Sequence, residues 1–351
     1  FLHRYGRTGL QSCIRGKDDR RHHYCMLTID GSTHEGGGQL VRSAVSLSAI
    51  TGTPIVIEKV REHRAYQGLA AQHLAAVKAV GRMCGAETRG LFIGSRRFEF
   101  IPGGLRDAEF FLDVGTAGSI SLVLQAWFPV ALHTGGRLVV EGGTEVRMSP
   151  TIDYMDRIFS RALRLQGAEV TIRIIQRGYY PRGRGRVEAM VRASDLNRIR
   201  LEGVHDERGI CSCSCNLPDH VADRQGSSAQ ELLHRATGEI FEVEYDRRKG
   251  PSTGSSITAW CGFKGGSALG KRGLQAEKVG EAAAVALVGE LSHAGTVDVH
   301  LADQLLIYIG QYGGTFTTLQ KTRHAETMCW LLDLFGYRVR IREGAVVEFS
   351  T

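Results

Sequence analysis

The chain has 351 residues, 42% of them hydrophobic and 23% charged, with 44 glycines and only 7 prolines, which excludes a disordered or collagen-like polymer and predicts a sizeable core with many tight turns. The net charge of +7 and a pI of about 9.0 suit a polyanionic partner, nucleic acid first. No apolar run of about 18 residues occurs, so no transmembrane helix and no membrane partner are expected.

Residues 1–25 hold six Lys/Arg, two Asp and three His and no apolar stretch, unlike a secretory signal. They read as a disordered basic arm or a mis-set start, with Met26 as the natural initiator. "CMLTID" then reads as a strand, and Gln39 to Ile50 as a helix with apolar residues at 40, 41, 44, 45, 47 and 50. "PIVIEKV" is a predicted strand and Leu69 to Met83 a helix ended by Gly85. "RFEFIPG" and "EFFLDVG" are strands, Ser119 to Leu132 an apolar helix, and "RLVVEGG" a strand. Thr151 to Leu165 reads as an amphipathic helix, followed by the strands "AEVTIRIIQRG" and "GRVEAMVRAS".

Residues 202–230 are polar and Cys/Asp-rich, with weaker periodicity. A helix around 228–236, the strand "EIFEVEYD", the loop "RRKGPSTGSS", the strand "ITAWCGF" and an Ala-rich helix from Glu277 to His293 come next. Beyond them the earlier style resumes, so 203–296 reads as a small α/β domain inserted into a larger one formed by 26–202 and 297–351. The outer part carries an internal repeat. "EGGGQLVRSAVSLSAITG", "VGTAGSISLVLQAWFPVALHTGG" and "HLADQLLIYIGQYGG" each join a polar or Gly-rich turn to an apolar helix ended by glycine, and "TVDV" is the expected strand before the third.

Eight cysteines lie at 13, 25, 84, 211, 213, 215, 261 and 329, with no CxxC pair. In "CSCSC", Cys211, Cys213 and Cys215 share one face of a strand and do not by themselves close a tetrahedral metal site, so the run reads as a strand of small side chains. Reduced thiols point to the cytoplasm.

Glu35 precedes Gly36, Gly37 and Gly38, which run into a helix carrying Arg42. Glycines at a helix N-terminus let backbone N–H groups approach an anion, and a second such turn spans Gly115 to Gly118. Taken singly, each reads more readily as a plain turn. A carboxylate beside a phosphate site calls for a bridging metal such as Mg²⁺. Arg61 and Arg64 follow a strand, with Gln72 and His73 in the next helix, and arginine forks suit phosphate oxygens as well as solvent. His300, Asp303 and Gln304 open one apolar helix, where Asp303 could simply complement the helix dipole. His324 opens the last one. Spacing alone favours a structural or surface His324, although histidine can be a covalent nucleophile.

Taken together, "DGSTHEGGGQLVRSAVSLSAITG", "RAYQGLAAQHLAAVKA", "DVGTAGSISLVLQ", "GGTEVRMSPTIDY", "GYYPRGRG", "HLADQLL" and "RHAET" resemble the RNA 3′-terminal phosphate cyclase family, over nearly the whole chain from Met26. The resemblance implies an α/β fold whose large domain repeats a βαβαββ-type unit three times, similar to the C-terminal domain of translation initiation factor 3 and to enolpyruvyl transferases, with a smaller α/β domain inserted. It implies ATP and a divalent metal, Mg²⁺ or Mn²⁺, as cofactors, an RNA 3′-phosphate end as partner, and a 2′,3′-cyclic phosphodiester as product. In that pattern His324 matches the nucleophile that takes AMP, and Glu35 the metal-linked glutamate. Gln125 and His300, Leu301, Ala302, Asp303 and Gln304 match nucleotide contacts; Arg42, Arg61, Arg64 and Gln72 match positions near the RNA or ATP phosphates.

The chain departs from the family at His34 (usually glycine), near Ala70 (usually basic), at Met328 (usually asparagine) and in "RAYQGL", which lacks a proline. The family also has a non-catalytic branch in ribosome assembly, so an RNA-binding protein without catalysis is the competing reading, and an enolpyruvyl-type transferase a third. The sequence leaves monomer or homodimer open.

Overall fold

The computed structural model describes residues 26–202 and 207–351; the basic segment 1–25 lies outside the described residues. The first unit runs β1 (Leu27–Asp30), α1 (Gly38–Thr51), β2 (Ile55–Glu58), α2 (Ala71–Cys84), β3 (Glu87–Arg89) and β4 (Phe98–Ile101). The second runs β5 (Glu109–Asp113), α3 (Ile120–Thr134), β6 (Gly136–Gly142), a continuous helical stretch, β7 (Glu169–Gln176) and β8 (Gly185–Arg192). That stretch is α4 (Ile152–Tyr154), a π-helical run (Met155–Ser160) and α5 (Arg161–Arg164), where the sequence predicts one uniform helix. The third unit opens with β9 (Ile199–Arg200) and is interrupted by β10 (Arg208–Cys215), α6 (His220–Thr237), β11 (Val243–Arg248), β12 (Gly254–Cys261), β13 (Lys264–Leu269) and α7 (Ala276–Leu291). It resumes with α8 (Val299–Tyr312), β14 (Gly314–Thr318), α9 (Arg323–Leu334), β15 (Arg340–Glu343) and β16 (Val347–Ser350).

The three outer sheets share one topology: β1-β2-β4-β3, β5-β6-β8-β7 and β9-β14-β16-β15. In each, the first two strands pair in parallel across a helix and the rest pair antiparallel. The expected threefold βαβαββ repeat is therefore present. A fourth sheet, β11-β10-β12-β13, belongs to the interrupting segment.

Periodicity dictates how these elements pack. On α1, Leu40, Val41, Ala44, Val45 and Leu47 are buried, and the helix stops at Gly52, a left-handed residue whose N–H donates to Ser48 O. The helices α1, α2, α3, α8 and α9 meet in one core spanning all three outer units. A second core gathers Ile210, Leu233, Phe241, Ile257, Val279 and Leu287 between the fourth sheet and α6 and α7.

Three local expectations need correction. "TVDV" is not a strand: Asp298 caps α8 by accepting from Leu301 N–H at 2.7 Å, and the strand parallel to β14 is β9. Helix α6 begins at His220, not near 228, and β11 runs through Arg248 into the expected loop. The strand β13 was not foreseen, because "KGGSAL" carries no alternation of large apolar and polar residues.

One buried cation joins the second unit to the fourth sheet. Arg177 lies 2.7 Å from Glu145 Oε1, 2.8 and 2.9 Å from the two oxygens of Asp153, and 2.8 Å from Asp246 of β11. The "CSCSC" strand is β10, and its cysteines are buried. Cys211 and Cys213 both donate S–H to Asp153 at 3.6 Å. Burial pushes Glu145 up to about 8 despite Arg177, whereas Asp153 stays below the usual range because the guanidinium outweighs its burial. Removing one partner of such a cluster strands the others. Arg177→Leu should therefore cost about 3–5 kcal/mol of unfolding free energy, read by urea denaturation; a loss under about 1 kcal/mol, the size of an exposed pair, would show that the cluster does not secure this junction.

Candidate active site

The loop between β1 and α1 is fastened to the other end of the chain. His34 adopts a left-handed φ of 53°, the conformation glycine takes most readily, and its ring meets Trp330 of α9 edge-on at 6.2 Å. Glu35 N–H donates to Thr327 Oγ1, also on α9, at 3.4 Å. The three glycines that follow answer to three different constraints. Gly36 is left-handed at φ 59°. A Cβ on Gly37 would stand 3.1 Å from Arg64 and 3.5 Å from Glu35 Oε1, and a Cβ on Gly38 would stand 2.0 Å from His73 Nε2.

His324 occupies the first turn of α9, behind the cap residue Thr322, with its side chain 45% exposed. Its Nδ1 is held by Glu35 Oε2, while Glu35 Oε1 takes Arg64. Burial would raise the Glu35 carboxyl, but the His324 hydrogen bond and the charges of His324 and Arg64 outweigh it and hold the group below its ordinary range. Glu35 is thus a carboxylate at neutral pH. With Nδ1 engaged, the free nitrogen of His324 is Nε2.

Behind this pair lies a cleft of about 30 Å³ lined by Gln39, Arg42, Gln125, Asp303, Gln304 and Met328, among others. Arg42 is buried and points NH2 at Gln125 Oε1, 3.4 Å away. Burial draws its guanidinium down to about 10, opposed by Glu35, so it stays charged at neutral pH. Asp303 accepts from Thr322 Oγ1 at 2.5 Å, which joins α8 to the cap of α9. Burial pushes Asp303 up to about 6, against the Thr322 hydrogen bond and nearby histidines. Gln304 donates to His300 O at 3.0 Å, and its Oε1 is buried without a partner among the described residues.

The structure thus brings Glu35, Arg42, Arg64, Gln125, Asp303, Gln304 and His324 together at the junction of α1, α3, α8 and α9. Leu301 and Ala302 point into the core, and His300 is exposed. Arg61 donates to Gly68 O at 3.0 Å within its own loop, while Gln72 accepts from Ser119 N–H at 3.0 Å and so ties α2 to the second glycine turn. Sequence reading missed the roles of Thr322, Thr327 and Trp330. Their one available signal was helical spacing, 327 and 330 lying one turn apart on the helix that His324 opens.

Glu35 fits a hard divalent cation: a carboxylate offers about four lone-pair positions, of which Arg64 and His324 engage two. Asp153, Cys211 and Cys213 also bring three donor atoms within 4.8 Å of one another, but Arg177 already takes both Asp153 oxygens.

Comparisons with known proteins place the chain in a family. A family model described as RNA 3′-terminal phosphate cyclase matches residues 33–341. A relative named RNA 3′-terminal phosphate cyclase in Methanococcoides burtonii is 44% identical over 314 residues, covering 88% of this chain and 94% of its own. Relatives of the same name in Archaeoglobus fulgidus and Pyrococcus furiosus are 42% and 38% identical, over 91% and 92% of this chain and 98% and 97% of their own. With its glycine loop and its α9 histidine both inside the matched segment, the chain belongs to the RNA 3′-terminal phosphate cyclase family.

Proposed function

We propose that this protein is an ATP-dependent RNA 3′-terminal phosphate cyclase working through a covalent histidyl-AMP. The observation that carries the reading is the Glu35–His324 pair: with Nδ1 fixed on a carboxylate, Nε2 is the available lone pair, at a helix N-terminus beside Arg42 and Arg64. His324 Nε2 attacks the α-phosphorus of ATP; the N–P bond forms as the bond to pyrophosphate breaks. An oxygen of the RNA 3′-phosphate then attacks that phosphorus, and the N–P electron pair returns to the imidazole. The terminal phosphate now carries AMP as a good leaving group. The adjacent 2′-oxygen attacks it, gives up its proton, and expels AMP as the cyclic phosphodiester closes.

In this reading Arg42, Arg61, Arg64 and Gln72 hold phosphate oxygens, and Gln125 with residues 300–304 holds the nucleotide. The buried side chains of Leu301 and Ala302 restrict them to shaping the wall. Glu35 would hold Mg²⁺ or Mn²⁺, which when bound screens the phosphate charge that the carboxylate would otherwise repel. Residues 203–296 act as an inserted domain apart from the chemistry. The reduced thiols at Cys84, Cys211, Cys213, Cys215 and Cys329 support a cytoplasmic location. No helix among the described residues is long and apolar enough to cross a membrane.

Incubation with α-labelled ATP and Mg²⁺ or Mn²⁺, followed by denaturation, should leave acid-labile label on the wild type and none on His324→Ala. Unlabelled wild type, with salt-sensitive RNA binding retained, would favour the non-catalytic RNA-binding reading instead.

Asp303 makes stability depend on pH. Its folded pKa, about 6, lies above its ordinary 3.8, so its contribution is fully present below about 3.8 and is lost as pH rises through 6. Asp303→Asn keeps a partner for Thr322 and should remove that fall, on the order of 3 kcal/mol at most. Unfolding free energies of the two proteins measured from pH 4 to 7 should converge at the acid end. Parallel curves would show that Asp303 is not the group responsible.

A further inference from the structure

The three outer sheets share one topology, but their solvent faces treat arginine differently. On or beside the first sheet, Arg89 and Arg97 are paired with Glu87, Glu99 and Glu58. On the second, Arg137, Arg173, Arg186 and Arg192 are paired with Glu188, Glu141 and Glu169. The third sheet breaks the pattern. Its register sets Arg340 of β15 beside Ser350 of β16, Ser350 beside Thr315 of β14, and Thr315 beside Arg200 of β9. Side chains alternate along a strand, and the adjoining Ile199, Phe316 and Phe349 are buried, so this row faces outward. None of its four side chains has a hydrogen bond or an ion pair with a described residue. Two residues along β15, Arg342 lies on the same face, opposite Glu348 and without an ion pair to it. Strand geometry sets the backbones of the two rows about 6.6–6.8 Å apart, and Arg340 about 14 Å from Arg200 across the sheet.

This face leads to the reaction centre. Residues 319–322 join the end of β14 to α9, whose second residue is His324. Lys321 in that link bonds Glu326 of α9 at 3.3 Å and Glu343 of β15 at 2.8 Å, which holds the end of the sheet against the start of α9. Resting on the cyclase reading, we infer that the outer face of the third sheet carries the RNA chain that precedes the 3′-phosphate. Arg200, Arg340 and Arg342 take backbone phosphates there, and the hydroxyls of Ser350 and Thr315 donate to phosphate oxygens. The row offers forked guanidinium donors and hydroxyls, the groups that engage phosphate, and none of the large apolar side chains at the centre of a protein–protein interface. Such contacts fix position and carry no sequence preference. The face is a positioning surface for the body of the RNA, separate from the groups that hold the reacting phosphate.

The test uses the full chain and the variants Arg200→Gln, Arg340→Gln, Arg342→Gln and their triple combination, each first checked for a wild-type melting profile. Binding of a 3′-phosphorylated oligoribonucleotide of about ten nucleotides is followed by fluorescence anisotropy without ATP over a series of salt concentrations. One arginine on a phosphate of a single strand contributes about 0.7 to the fall of log affinity with log salt. Each single variant should therefore lower that slope by about 0.7 and the triple variant by about 2, equally for two unrelated base sequences. A 3′-phosphorylated dinucleotide, which supplies the end and little chain behind it, should bind wild type and triple variant alike, and covalent adenylate formation from ATP should be unchanged. A triple variant whose slope stays within about 0.5 of wild type, or that loses affinity for dinucleotide and longer RNA equally, would overturn the inference and leave the cyclase reading intact. Poly-glutamate binding as tight as RNA binding, with the same dependence on the three arginines, would also overturn it, in favour of an acidic protein partner. A wild type that forms no adenylate, but whose RNA binding still depends on these arginines, would overturn the cyclase reading and leave the RNA face.

Discussion

Glu35 places one carboxylate oxygen on His324 Nδ1 and the other on Arg64, and thereby closes a circuit through the first and third units of the fold. The circuit requires the β1–α1 loop to lie against α9, which the His34–Trp330 and Glu35–Thr327 contacts bring about. It also requires α8 and α9 to be in register, which the Thr322–Asp303 hydrogen bond fixes. Each contact is modest alone, since exposed pairs contribute little. Their value is positional: they engage Nδ1 of His324 and set the Glu35–His324 pair within electrostatic reach of Arg42 and Asp303, which line the cleft.

The loop that looked like a uniform glycine run is not uniform. Gly36 relieves backbone strain, Gly37 leaves room for the Arg64–Glu35 pair, and Gly38 leaves room for His73. Two of the three thus yield space to other side chains, and only one answers to conformation. By sequence the glycines read either as clearance for phosphate or as a plain turn. The clearance they provide goes first to the protein's own side chains, Arg64, Glu35 and His73.

Much of the fold was legible because apolar periodicity and glycine stops are local signals: α1, α2, α3 and α8 lie within a few residues of their predicted bounds. Failures came where long-range contacts override propensity. The β-branched "TVDV" is not a strand, because Asp298 is needed as a cap and as an acceptor for Tyr154 OH and Gly265 N–H. The early turns of α6 were hidden because the helix packs through small residues: a Cβ on Gly226 would meet Val243 and Tyr245 at 2.8 and 2.9 Å. In the site, Glu35, Arg42 and His324 stood out by residue type and by family resemblance. His73 did not, because its meaning lies in Gly38, distant in the chain and visible only once α1 and α2 are packed together.

The threefold repeat also shows where one helix start differs from its two counterparts. The first helices of the units, α1, α3 and α8, are equivalent in topology, and each begins with the same unsatisfied amides. At α3 those amides are served by Ser119, whose Oγ accepts from Leu122 N–H at 3.3 Å. At α8 they are served by the fully buried Asp298, which also receives Tyr154 of the second unit and Gly265 of β13 and so helps join the inserted segment to the repeat. Only α1 begins at a glycine with no side-chain cap. A duplicated scaffold needs its helix ends for integrity wherever they meet another unit, and it can leave one open only where rigid neighbours hold the helix from the sides. Packing of α1 against α2, α3 and α9 supplies that support. The asymmetry that sets α1 apart within the repeat is therefore the absence of one capping hydroxyl or carboxylate, at a helix held by α2, α3 and α9.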